Sequence, residues 1–117
     1  MKANGKIAVD TNAVIAYRAG VSEVCRLIRA TEVVLVPAPV VGELFYGALN
    51  SRRIQENQEA VHKFLAHAIF IPSDENITAR YASVRYKLRK IGRPIPENDI
   101  WIAAACLEKK PRDKSPG

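Results

Sequence analysis

The stretch KIAVDTNAVI, residues 6–15, places an aspartate between two apolar runs. Ile7, Ala8 and Val9 lead into Asp10 as a short strand, and the residues after Asp10 continue as a helix to about Tyr17. A strand with no polar alternation is covered on both faces, which in practice means a parallel sheet with helical crossovers. Two further runs have the same character: EVVLVP, Glu32 to Pro37, and AIFIP, Ala68 to Pro72. Strands of this kind separated by helical segments predict an α/β fold.

The intervening segments show helical periodicity. After Gly20, a helix carries Val24, Leu27 and Ile28 on one face. Pro39 suits the first turn of a third helix, whose apolar stripe is Val40, Val41, Leu44, Phe45 and Ala48, with Glu43 at its border. A polar helix from Arg52 to Ala66 buries Ala60, Val61, Phe64 and Leu65. Ser73 is placed to cap the next, which bears Ile77, Tyr81, Val84 and Leu88 and ends at Gly92. GRPIP forms a turn, and a last helix starts near Asn98.

At 117 residues, 48% of them apolar, the chain suits one domain with one core. No apolar run approaches the ~20 residues of a membrane span, and no leader pattern precedes the first strand, so the expected location is cytoplasmic. Cys25 and Cys106 both lie in apolar helical patterns and read as buried free thiols without a chemical role. His62 and His67 are five residues apart, which does not suit metal ligation from one helical face.

The net charge is +6, and six basic residues crowd into ARYASVRYKLRKIGR, residues 79–93. A polyanion is the natural partner for Arg80, Arg85, Arg89 and Arg93, although a solvated helix face would also explain such a run.

Against this basic background stand three acids in apolar settings: Asp10, Glu43 and Asp99. Asp10 follows a strand at the carboxyl end of the sheet, where parallel sheets place ligands, or it simply caps the next helix. Glu43 needs a partner, which a salt bridge would supply. Asp99 sits in the first turn of its helix, where the dipole favours it. Taken together they are expected at the same end of one sheet. Carboxylates held close raise each other's pKa, and a hard cation such as Mg2+ or Mn2+ relieves the repulsion. On a basic protein, that arrangement suits metal-assisted phosphodiester hydrolysis.

The segments VDTNAVIAY, VVGELFYGA and IPENDIWIAA resemble, in order and interval, the three acidic motifs of PIN-domain ribonucleases, specifically the VapC toxins of toxin–antitoxin systems. The resemblance spans Ile7 to about Leu107. It implies a PIN-like parallel sheet flanked by helices on both faces and a Mg2+ or Mn2+ site formed by Asp10, Glu43 and Asp99. It also implies endoribonuclease activity, homodimerisation and inhibition by a cognate antitoxin. Thr11 and Asn12 match the polar residues that follow the first acid and would position a metal-bound water or phosphate.

The family pattern continues into a further strand and a fourth acid, but CLEKKPRDKSPG has no apolar run after Leu107. The expected C-terminal strand is therefore lacking, and Asp113 is not carried over as the fourth acid. The expected organisation is a nuclease domain over residues 1–108 with a basic, disordered tail over 109–117. Two alternatives follow. One is a catalytically impaired, truncated PIN domain that binds RNA or antitoxin. The other is a phosphatase of the haloacid-dehalogenase type, disfavoured because Asn12 stands where a second aspartate is needed.

Overall fold

The computed structural model describes residues 5–109. Three parallel strands, β1 (Lys6–Ala8), β2 (Val33–Pro37) and β3 (Ile69–Ile71), form a sheet in the order β1-β2-β3. The register pairs Ile7 with Val34 and Ala8 with Leu35, then Leu35 with Ile69 and Pro37 with Ile71. Between β1 and β2 run α1 (Thr11–Arg18) and α2 (Ser22–Ala30). The crossover to β3 carries α3 (Ala38–Leu49) and α4 (Ile54–Leu65), and α5 (Glu75–Lys90) and α6 (Glu97–Glu108) follow.

The central strand explains the layering. Side chains alternate across a strand, so Val34 and Val36 face one way and Leu35 the other. Val34 and Val36 join a core with Val14, Ile28, Val40, Leu44, Val61 and Ile102. Leu35 packs into a second cluster with Ile71, Ile77, Ala104 and Ala105, flanked by Tyr81 and Trp101. The α/β expectation therefore holds, with α1 to α4 supplying most of one layer and α5 and α6 the other.

The three strands are not equally covered. Ile69 and Phe70 of β3 are each 53% exposed, because this short strand lies at the sheet edge and only Ile71 reaches the core. Leu27, expected on the buried face of α2, is 52% exposed; Cys25 and Ile28 form that face instead. The cap of α5 is Asp74 rather than Ser73, and its Oδ1 accepts from the Ile77 amide at 2.9 Å. A carboxylate at this position also favours the positive end of the helix.

Gly92 takes φ +69° just beyond α5, a conformation that β-carbons disfavour, and its amide donates to the Arg89 carbonyl. Pro39 lies in the first turn of α3, where its missing amide hydrogen costs nothing. The expectations for a disordered tail and for Asp113 concern residues 110–117 and lie outside the described residues, apart from Lys109, which closes α6.

Candidate active site

The chain leaves β1 through Val9, whose amide still donates to the Leu35 carbonyl at 3.0 Å, and reaches Asp10 in extended geometry. Asp10 caps α1, with Oδ1 accepting from the Ala13 amide at 2.8 Å. Both readings of this residue thus coexist: the cap fixes the carboxylate, and the carboxylate lines a cleft. The other acids arrive from different directions, Glu43 from the second turn of α3 and Asp99 from the first turn of α6.

All three border one open cleft of about 660 Å3, together with Thr11, Asn12, Tyr46, Ile102, Ala103 and Cys106. No lining residue among the described ones is basic. The ion pairs among the described residues are Arg53–Glu56, Arg80–Glu108 and Arg85–Glu97, so none involves Asp10, Glu43 or Asp99. Glu43 is instead held by neutral donors. The Thr11 hydroxyl donates to its Oε1 and the Asn98 amide donates to its Oε2. These two bonds tie α1 and α6 to α3 through a single carboxylate.

The PIN-domain family model matches residues 7–110. The chain belongs to the PIN-domain family. It is 31% identical to the ribonuclease VapC2 of Haemophilus influenzae over 101 residues, covering 85% of this chain and 76% of that protein. Among solved structures it is similar to VapBC-1 from nontypeable Haemophilus influenzae, with a TM-score of 0.78, 23% identity, and coverage of 88% and 80%. A toxin–antitoxin complex from Klebsiella pneumoniae aligns with a TM-score of 0.66 at 18% identity, over 87% of this chain and 78% of that one. At these identities the solved structures speak for the fold.

Within this PIN domain the donor set is chemically suited to a hard cation: three carboxylates, a hydroxyl and an amide oxygen, with no basic competitor among the described residues of the cleft wall. The set is open rather than closed. Among the described residues, no three His, Cys, Asp or Glu side chains converge as a ready ligand cage. Such openness accords with Mg2+, which keeps several waters and takes only one or two carboxylates directly.

Two residues of the site carry little signal in the sequence. Asn98 reads only as a helix start, although it directly precedes Asp99 and donates to Glu43. Tyr46 lies one turn after Glu43, and that spacing alone places it on the same face of α3. Cys106 also belongs here, contrary to its expected place as a buried thiol. Burial pushes its pKa up, and the neighbouring Asp10 carboxylate pushes it further in the same direction.

The basic run lies elsewhere. Asp99, Ile102, Ala103 and Cys106 present one side of α6 to the cleft, whereas Trp101 stacks on Tyr81 of α5 with ring centroids 3.9 Å apart. Arg80 pairs with Glu108, and Arg85 contacts Glu97. None of Arg80, Arg85, Arg89 and Arg93 lines the acid cleft, and the α5 face that carries Tyr81 packs on the other side of α6. Neither histidine lines the cleft. His62 packs on Phe45 and His67 borders an apolar groove beside Tyr17 and Phe64.

Proposed function

We propose that this PIN domain is the endoribonuclease toxin of a toxin–antitoxin pair and that its hydrolysis of RNA depends on Mg2+ or Mn2+. The observation that carries this reading is the shared cleft of Asp10, Glu43 and Asp99, with no basic side chain among the described residues that line it. Carboxylates gathered on a basic protein with no ion pair among the described residues disfavour an anion there unless a cation intervenes. The ribonuclease name of the Haemophilus influenzae relative supports the reaction, and the toxin–antitoxin complex among the structural neighbours supports a cognate antitoxin as partner.

In this reading Asp10, Glu43 and Asp99 would share the metal, one or two of them directly and the rest through its waters. When bound, the cation polarises a phosphate oxygen and makes water acidic enough to attack. The chain's own work is positioning. The α1 cap fixes Asp10, while Thr11 and Asn98 hold both oxygens of Glu43 against rotation. Asn12 offers an amide to a phosphate or a water, and Thr11, whose proton goes to Glu43, keeps lone pairs that accept from a water. The chain acts in the cytoplasm, where RNA is available, as a homodimer that the antitoxin covers.

The test is cleavage of RNA by the purified chain in magnesium, in chelator, and with Asp99→Asn. Cleavage confined to the wild-type protein with metal is expected. Cleavage that persists in chelator sinks the metal-dependent mechanism. RNA binding without any turnover would instead mark a binding module.

A further inference from the structure

The Thr11–Glu43 hydrogen bond is a wall between two depressions. On one side lies the acid cleft. On the other, a groove of about 230 Å3 follows the seam of α1 and α3, bordered by Thr11, Ile15, Arg18, Glu43, Gly47 and Asn57. Thr11, Ile15 and Arg18 recur at helical spacing along α1, so the groove runs from the acids towards the end of that helix. At 1.5 Å per residue, Arg18 stands ~10 Å from Thr11, within reach of phosphates adjoining the cleft.

Two features of this groove suit a ligand. Gly47 lies inside α3, where glycine weakens a helix relative to alanine. Yet a β-carbon there would meet nothing within 4 Å, so no packing partner in the described structure demands its absence. Glycine of this kind suits a ligand that approaches the backbone. Second, Arg18 is exposed and has no ion pair among the described residues, although it shares the groove with the Glu43 carboxylate. On the wall of the acid cleft, Tyr46 is 67% exposed.

We infer that the substrate strand crosses the α1–α3 seam: Arg18 holds a phosphate beyond the Thr11–Glu43 wall, Gly47 lets the strand lie close, and Tyr46 stacks on a base beside the acids. The inference rests on the ribonuclease reading and assigns it a track. It also moves RNA contact away from α5, whose Arg80 and Arg85 already engage Glu108 and Glu97. Phosphate contact supplies affinity, and a stacking ring tolerates any base.

Binding of a labelled single-stranded oligoribonucleotide in chelator, followed by cleavage in magnesium, tests the track with the full chain. Arg18→Ala should lower affinity roughly five- to tenfold and reduce the salt slope by about 0.7, the share of one phosphate on a single strand. Tyr46→Ala should weaken binding roughly fivefold or more, and Tyr46→Phe should restore it, because stacking needs the ring and not the hydroxyl. Gly47→Leu should raise KM with kcat and melting temperature retained. Arg85→Ala with Arg89→Ala should alter affinity less than about twofold. If the wild type cleaves while Arg18→Ala and Gly47→Leu bind as it does, or if the α5 pair carries the affinity, the track is wrong and the ribonuclease reading stands. If Gly47→Leu leaves RNA binding intact and instead abolishes self-association by light scattering, the groove is a subunit contact and the inference is overturned. A wild-type chain that neither binds nor cleaves RNA removes the ribonuclease reading and the track together.

Discussion

Asp10 and Asp74 are local twins. Each follows a strand of the same parallel sheet, sits in extended backbone, and caps a helix by accepting from the amide three residues on, at 2.8 Å for Asp10 and 2.9 Å for Asp74. Only Asp10 borders the acid cleft. The difference lies in what their helices meet: α1 lies along α3, which brings Glu43, and Asp99 of α6 closes the same cleft, whereas α5 packs on the opposite side of α6. A capping aspartate at a strand end is therefore not evidence of a site. The neighbours that topology supplies decide it.

The largest effect that could break the comparison is on Asp10 itself. Asparagine caps as well as aspartate, so Asp10→Asn should leave the fold intact while removing one carboxylate from the cleft. Cleavage should fall on the order of 100-fold or more, as when a group acting directly on transition-state charge is lost. The melting temperature in chelator should stay level or rise, because one repelling charge has gone. Asp74→Asn should change neither. Equal loss of cleavage from both variants would mean that the caps matter and the acids do not.

Asn98 comes next. Asn98→Ala removes one of the two donors that orient Glu43, and an outer-shell partner of a metal ligand typically contributes 10- to 100-fold; about tenfold in cleavage is expected here. The stability change should be about 1 kcal/mol, the net worth of an ordinary hydrogen bond. Activity measured across magnesium concentrations sharpens this: restoration at high metal would place Asn98 in Glu43 orientation, whereas an unchanged response would deny it that part.

A smaller effect comes from Asp74→Ala, which should cost about 1 kcal/mol of stability through the lost cap and leave cleavage per folded molecule unchanged. Denaturant unfolding and a cleavage assay on the same preparation separate the two. A loss of turnover beyond the unfolded fraction would show that α5 is coupled to the cleft.

Most of the fold was legible because β2 is apolar on both faces and its flanking segments have clear helical periods. The misjudged details involve choices that composition does not distinguish. Ser73 and Asp74 are both good caps, and the register of the turn selects the latter. Leu27 and Ile28 are adjacent apolar residues on a nine-residue helix, and only one of them can face the core. In the candidate site, the three acids were visible as charges in apolar company. Asn98 and Tyr46 were not, since a neutral amide and an exposed ring are ordinary on a helix until a partner carboxylate from another element stands beside them. The arginines of α5 pose the opposite case. A charge run announces itself in sequence, but its distance from the acids is a property of how α6 is interposed.

The finest test uses Cys106 as a reporter of Asp10. Burial is the larger cause of its raised pKa and the Asp10 carboxylate the smaller, so the thiol stays protonated at neutral pH and supplies no charge to the cleft. Cys106→Ala should therefore leave cleavage within about twofold, as is usual when a residue outside the charge work is trimmed. The thiol's pKa is higher folded than unfolded. The folded state thus binds the proton more tightly, and this contribution is complete below the ordinary thiol range. It is lost as pH climbs from about 8.5 towards the raised value. Wild-type stability should accordingly decline more steeply than that of Cys106→Ala across that alkaline window. Asp10→Asn removes only the smaller cause, so Cys106 in that variant should react faster with a thiol reagent than in the wild type, yet more slowly than in unfolded chain. Asp74→Asn should leave the rate untouched. If both aspartate variants accelerate the thiol equally, the effect is general loosening of the fold, and the distinction between the two caps fails at its most sensitive point.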